Sequence, residues 1–238
     1  MILYFALSSG AFGSGKSHVL TWLDHHGYFP LHSFVVVDPD HLREKLPETA
    51  EYIRRDASTA GYMTQKEVGY ISEVIILKAL LEGKNVIVDG SLKDHEWYCQ
   101  YMLQLRNTFP QLKLAIIHVA TSLETAVSRA ARRGHETGRV VPVEAIKDQL
   151  VSIPQSLELL KSYVNYYCTF RNDDIPKLVI SSTGEATLSS FKAVWEMSCQ
   201  DNDNTDVCPD NLITWKKNNY YRLWVSTPKE YCKLNCSL

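Results

Sequence analysis

The stretch Ile2-Leu3-Tyr4-Phe5-Ala6-Leu7-Ser8-Ser9-Gly10-Ala11-Phe12-Gly13-Ser14-Gly15-Lys16-Ser17 decides the fold. Its first part, Ile2–Leu7, is a short apolar run of the kind that forms a strand buried on both faces. Its second part, Gly10 to Ser17, fits the pattern G-x-x-x-x-G-K-[ST]. From Lys16 to Asp24 the apolar residues follow a helical spacing. Strand, glycine loop and helix in that order are the context a P-loop needs. The glycines let the backbone curl, so the amides of Gly10, Ala11, Phe12, Gly13, Ser14 and Gly15 can turn inward on phosphate oxygens. The helix that follows adds the positive end of its dipole. Lys16 is placed to reach the β- and γ-phosphates and Ser17 to ligate Mg²⁺. The segment therefore predicts a nucleoside triphosphate site.

Downstream, apolar runs alternate with helical patterns. The spacing predicts strands at Phe34–Val37, Asn85–Val88, Leu112–Val119 and Lys177–Ser181. Helical spacing covers 41–46, 72–81, 92–105, 123–133, 142–150, 156–166 and 188–197. Strands separated by helices imply βαβ units. The expected class is α/β: a P-loop NTPase three-layer sandwich with a mainly parallel central sheet flanked by helices. The periodic pattern stops near residue 199. The expected domains are a body over 1–199 and an extension over 200–238 that holds Trp215, Tyr220, Tyr221, Trp224 and Tyr231. The extension reads either as a tail that packs its aromatics on the body or as a docking segment.

Composition narrows the class. The chain has 238 residues, 45% of them hydrophobic, enough for a sizeable core without disulfide or metal staples. Lys+Arg is 25 against 27 Asp+Glu, a net charge of −2, which argues against nucleic acid as the main partner. The longest apolar stretches, such as 74–77 with 79–81, are far shorter than the roughly 20 residues of a membrane span. Met1–Leu7 lacks a basic segment before it and reads as a buried strand rather than a signal peptide. None of the six cysteines forms a CxxC pair, and a cytoplasmic protein with reduced thiols is expected. The four within 199–236 would form two disulfides only in a secreted protein.

In open α/β sheets, ligands bind beyond the carboxyl ends of the strands. Asp38 and Asp40 follow Phe34–Val37 directly. Asp40 is either the N-cap of the next helix or a carboxylate that orients an acceptor hydroxyl and takes its proton. Asp38 helps hold a metal-bound water or serves the turn. Asp89 follows Asn85–Val88, as in a Walker B element, with Ser91 beside it. The pair supports Mg²⁺, grips substrate hydroxyls, or forms a plain turn. Glu73, on the helix feeding that strand, faces the substrate or solvent. Arg129, Arg132 and Arg133 share one helix face and lead into a glycine-bounded loop with Arg139. The segment around 129–142 reads as a lid over phosphates or as a solvated basic face.

Four blocks carry a family likeness: Gly10–Ser17; Val37-Asp38-Pro39-Asp40-His41-Leu42-Arg43 with Pro47; Asn85-Val86-Ile87-Val88-Asp89-Gly90-Ser91; and Arg132 to Gly138-Arg139-Val140-Val141-Pro142. With these, residues 2–182 resemble the zeta-toxin family of P-loop kinases. Bacterial members of that family use ATP and Mg²⁺ to phosphorylate a sugar hydroxyl of UDP-N-acetylglucosamine. The resemblance implies that Lys16 and Ser17 bind ATP phosphates and Mg²⁺, and that Asp40 is the catalytic base. It implies that Glu73, Asp89 and Ser91 face the acceptor, and that Arg132 and Arg139 contact the transferring phosphoryl. Asp89 and Ser91 are smaller than the Glu and Thr common in the toxins, and the stretch from Arg132 to Arg139 is shorter. The segment after residue 199 has no counterpart, and neither toxicity nor an antitoxin partner is inferred.

The expected activity is transfer of the γ-phosphoryl of ATP to a hydroxyl of a small molecule, with a UDP-amino sugar as one acceptor class. A nucleoside or polynucleotide 5′-hydroxyl kinase, and a nucleotide-dependent switch with little turnover, are the rival readings.

Overall fold

The computed structural model describes residues 2–56, 60–137 and 141–196. Six strands among them form one sheet: β1 (Leu3–Ser9), β2 (Phe34–Val37), β3 (Asn85–Gly90), β4 (Leu112–Ala120), β5 (Tyr166–Arg171) and β6 (Lys177–Ser181). Their order across the sheet is β2-β3-β1-β4-β5-β6. All neighbours run parallel except β5 and β6. The helices are α1 (Lys16–His25), α2 (Pro39–Lys45), α3 (Thr49–Arg55), α4 (Ala60–Met63), α5 (Gln65–Leu81), α6 (His95–Thr108), α7 (Leu123–Thr137), α8 (Val143–Leu160) and α9 (Leu188–Glu196).

The central strands are apolar on both faces because each face carries a helical layer. Alternate residues serve different layers. Phe5 and Leu7, Val86 and Val88, and Leu114 and Ile116 join a core with Ile76 of α5, Met102 of α6 and Leu157 of α8. Tyr4 and Ala6, Ile87, and Ala115 and Ile117 join a second core with Val19 and Leu23 of α1 and Phe191 and Trp195 of α9. These are the three expected layers. Between β3 and β4, β1 is central, and its carboxyl end delivers the chain into the glycine loop.

Three local expectations change. Pro154 splits the sequence pattern into two helices, yet α8 runs unbroken through it. Ile146, Ile153, Leu157 and Leu160 are buried along that helix, and their burial outweighs the roughly 3 kcal/mol cost of an interior proline. Tyr166, expected to end the helix over 156–166, instead opens β5 (Tyr166–Arg171), in which Tyr166, Cys168 and Phe170 are buried at strand period. Finally, α3 and α4 occupy a stretch to which no element was assigned. Among the described residues, Cys99 and Cys168 form no disulfide. The aromatic extension over 200–238, with the other cysteines of that segment, lies outside the described residues. Among the described residues no helix is long and apolar enough to cross a membrane.

Trp195 closes the second core. Its ring lies 4.9 Å from Phe29, 5.2 Å from Tyr4 and 5.7 Å from Phe191, and it is 1% exposed. The Tyr4 hydroxyl donates to the Val194 carbonyl at 2.7 Å, tying α9 to β1. Trp195→Ala is expected to lower unfolding free energy by about 3–5 kcal/mol in urea titrations followed by circular dichroism.

Candidate active site

The glycine loop is held by backbone proximity. Gly13 and Gly15 have φ of 76° and 80°, the left-handed region that glycine adopts without strain. A Cβ on Gly13 would stand 2.2 Å from the Ala126 carbonyl oxygen of α7, and one on Gly15 would stand 2.5 Å from Asn172 Nδ2. The loop also receives side chains from distant segments. Asn172 Nδ2 donates to the Ser14 carbonyl at 2.8 Å, and the Phe12 amide donates to Gln149 Oε1 at 2.9 Å. No side chain caps α1, so the first-turn amides of a helix that starts at Lys16 remain open to an anion. This cradle, with a lysine and a serine at its end, suits a triphosphate and its Mg²⁺.

The loop forms one wall of an open cleft of about 710 Å³. Lys16 and Ser17 line it together with the carboxylates Asp38, Asp40 and Asp89 and the guanidiniums Arg132 and Arg133. Lys16 Nζ donates to the Gly10 carbonyl at 3.3 Å and lies 3.6 Å from Asp89 Oδ1. Asp89 is mostly buried at the carboxyl end of β3, and its pKa is pushed up to about 6. Desolvation is the main cause; Asp38 and Asp40 add to it, and the Lys16 charge opposes it. Burial wins although the Lys16 ammonium lies 3.6 Å away, because that ammonium is shared with the Gly10 carbonyl.

Of the two aspartates after β2, Asp38 is the N-cap of α2. Its Oδ1 accepts from the amides of Asp40 (2.9 Å) and His41 (3.2 Å), with Pro39 in the first helical position. The N-cap alternative for Asp40 is therefore excluded. Asp40 sits in the first turn of α2, ion-paired with Arg43.

The arginines of α7 differ in placement. The Arg129 guanidinium donates to the carbonyls of Asn172 (2.7 Å) and Asp173 (3.1 Å), with a longer 3.5 Å contact to Ser14. It braces the glycine loop against the end of β5. Arg132 lines the cleft on the same helix. Arg139 lies outside the described residues.

Neither Ser91 nor Glu73 belongs to the cleft wall. The Ser91 hydroxyl accepts the Lys93 amide at 3.3 Å, and the Ser91 carbonyl accepts the Ser9 hydroxyl at 3.1 Å. Glu73 is 8% exposed on the inner face of α5, so its solvated alternative is excluded. Its charge helps push the Tyr101 hydroxyl up, after burial.

Several site residues escaped the sequence reading. Asn172 and Asp173 follow β5, most of which the spacing assigns to no element, although an acid after an aromatic, β-branched run is an available signal. Asp173 Oδ1 accepts from the Ser122 amide (2.6 Å) and the Thr121 hydroxyl (2.9 Å), and Oδ2 accepts from Arg171 (2.6 Å). These bonds, the Ser122 amide first, hold its carboxyl well below the usual range. His118 is buried on β4 opposite Ser9. Burial pushes its pKa down to about 4, with Lys16 adding and a hydrogen bond with the Ser9 backbone opposing. It is neutral at physiological pH. Nothing in the sequence marks Gln149 or His118.

Two outcomes follow from this geometry. Gly13→Ala is expected to lose measurable nucleotide affinity in calorimetry, because both the left-handed φ and the Ala126 contact forbid a Cβ. For Asp89, the folded pKa of about 6 exceeds the ordinary aspartate value of 3.8, so the folded state binds the proton more tightly. Stability is then lost as pH rises through that window. Asp89→Asn, in the absence of nucleotide and magnesium, is expected to be more stable than wild type by about 2 kcal/mol at pH 7.5. The gain should shrink to nothing near pH 4, as read by thermal melts across pH.

The Zeta toxin family model matches residues 5–178. No curated protein matches the chain. Among solved structures, the PezAT chromosomal toxin–antitoxin system of Streptococcus pneumoniae aligns with a TM-score of 0.63 at 17% identity, covering 94% of this chain and 88% of that one. AvrRxo1-ORF1:AvrRxo1-ORF2 with sulphate ions aligns at 0.53 and 16% identity, covering 92% and 71%. The complex AvrRxo1-ORF1:-ORF2 with ATP aligns at 0.52 and 15% identity, with the same coverage. At these identities the likeness shows a shared fold. The family match spans most of the chain and includes the glycine loop and the strand-end carboxylates, and the chain belongs to the Zeta toxin family.

Proposed function

We propose that the protein is a P-loop kinase that transfers the γ-phosphoryl of ATP to a hydroxyl of a small molecule, with a UDP-amino sugar as the favoured acceptor. One observation carries the reading: phosphate-binding groups and acceptor-facing carboxylates share a single cleft, with Lys16, Ser17 and Arg132 near Asp38, Asp40 and Asp89. A structure of AvrRxo1-ORF1:-ORF2, which shares the fold, was solved with ATP, and this supports ATP as the donor here.

In this reading the glycine loop, whose Phe12 amide goes to Gln149 and whose Ser14 amide goes to Ala11, holds the β- and γ-phosphates through its remaining amides and the Lys16 ammonium. The Ser17 hydroxyl would hold Mg²⁺, which would neutralise charge on the triphosphate. Asp40 accepts the proton of the acceptor hydroxyl as its oxygen bonds to the γ-phosphorus. The bond from that phosphorus to the β–γ bridging oxygen breaks, and ADP leaves. Arg132, with Arg139 from the following loop, stabilises charge on the transferring group. Asp89 is ion-paired with Lys16 and would help hold the acceptor or Mg²⁺ once phosphate draws the ammonium away. Glu73 and Ser91 shape the acceptor side from behind. Residues 1–199 are the catalytic body and 200–238 an extension.

Labelled ATP with a panel of UDP-sugars, nucleosides and 5′-hydroxyl oligonucleotides tests the acceptor. Label on a UDP-amino sugar is the expected result; label only on nucleosides or oligonucleotides makes the protein a 5′-hydroxyl kinase. Slow ADP release that no acceptor stimulates favours the switch. Lys16→Ala is expected to abolish turnover. Asp40→Asn should cut kcat by about 10²-fold or more with ATP affinity in calorimetry kept, because a base acts on the proton and not on the triphosphate. An Asp40→Asn enzyme with near-normal kcat removes Asp40 from that role.

A further inference from the structure

We propose that Arg43 is the positioning residue of this site: it fixes the Asp40 carboxylate and clamps the base-bearing helix α2 to the start of α5. The inference rests on the kinase reading above and on Asp40 as the base.

Arg43 is only 13% exposed in its side chain, while Asp40 is 34% exposed and faces the cleft. Every nitrogen of the guanidinium has a partner. Nη1 pairs with Asp40 Oδ1, Nε donates to Thr64 Oγ1 at 2.9 Å, and Nη2 donates to Gln65 Oε1 at 3.1 Å. An exposed i,i+3 ion pair would be a weak surface contact. This one is different, because the other two nitrogens reach Thr64 and Gln65 at the start of α5 and the guanidinium is largely shielded from solvent. Thr64 is itself fully buried and donates to the Ala60 carbonyl at 3.0 Å, so the anchor is rigid. The backbone of Arg43 is held too: its carbonyl accepts the Thr49 hydroxyl at 2.6 Å.

The chemistry of the fork explains why an arginine stands here. A planar group with donors in fixed directions can hold a carboxylate and two further acceptors at once, whereas an ammonium is a point charge on a mobile stem. Arg43 is absent from the cleft wall, so it acts on the reaction through Asp40 and not by touching phosphate. With one oxygen engaged, the plane of the Asp40 carboxylate is set before any acceptor arrives. The clamp also fixes α2 relative to α5, which carries Glu73 two turns beyond Gln65. The base and the acceptor-side glutamate are thus referred to one frame. Misplacement of a catalytic group by about 1 Å can cost on the order of 10²-fold in rate.

The test compares Arg43→Gln, Arg43→Lys, Asp40→Asn and the Asp40→Asn/Arg43→Gln double variant in the full chain. ADP release is followed with UDP-N-acetylglucosamine as acceptor and, separately, with water alone. Arg43→Gln is expected to lower kcat about 30–100-fold with KM for ATP within about twofold of wild type. Arg43→Lys should recover part of that loss, at unchanged KM. The double variant should be no slower than Asp40→Asn alone, since the two residues act as a unit. If Arg43→Gln does not fold, Arg43→Lys carries the test through its lowered kcat at constant KM. A wild-type kcat in the arginine variants beside an inactive Asp40→Asn overturns this inference alone. So does a KM for ATP that rises as much as kcat falls, which would mark a phosphate contact. Near-normal turnover by Asp40→Asn, or no ADP release by wild type under either condition, overturns the kinase reading and this inference with it.

Discussion

The site depends on a backbone-to-backbone approach. Gly13 passes the Ala126 carbonyl of α7 so closely that a single methyl group has no space, and Gly15 passes the Asn172 amide in the same way. Two segments more than a hundred residues away therefore set the curvature of the glycine loop. Arg129 and Asn172 complete the arrangement by hydrogen bonds onto carbonyls of that loop and of the β5 end. A cradle shaped by covalent geometry and fixed neighbours needs no reorganisation when charge arrives, and that is what phosphoryl transfer asks of it.

Opposite the cradle, electrostatics and burial are in opposition. Three carboxylates face one cleft, and the most buried of them, Asp89, holds its proton unusually well. Lys16 compensates only in part, because its ammonium also serves the Gly10 carbonyl. Three clustered carboxylates disfavour one another's ionisation, and a further cation beside them would relieve that cost. The neutral His118 beneath the loop adds no positive charge to this balance at physiological pH.

Much of the fold was legible. Phe34–Val37 is β2 to the residue, and β1, β3, β4, α1 and α9 fall close to their expected positions. Period-two and period-3.6 patterns in apolar residues report burial directly, and those elements are buried. Reading failed where burial and local chemistry disagree. Pro154 is a local helix breaker overruled by the core beneath α8, and Tyr166–Arg171 is too polar on its outer face to stand out as a central strand. Within the site, Lys16, Ser17, Asp38, Asp40, Asp89 and Arg132 meet in one cleft as a motif reading expects. Asn172 and Gln149 belong to no pattern, and Arg43, although part of the second motif block, has no role legible there, because the work of all three includes hydrogen bonding to partners remote in sequence.

By itself, then, the order of residues determined the strand–loop–helix cradle, the α/β class and the acidic strand ends, since these follow from spacing, glycine content and periodicity along the chain. Tertiary structure decided which aspartate caps α2 and which meets the cleft, which arginine of α7 braces the loop and which remains beside it, and how strongly Asp89 is desolvated. Those choices depend on distances between segments brought together only by packing, and no local pattern encodes them.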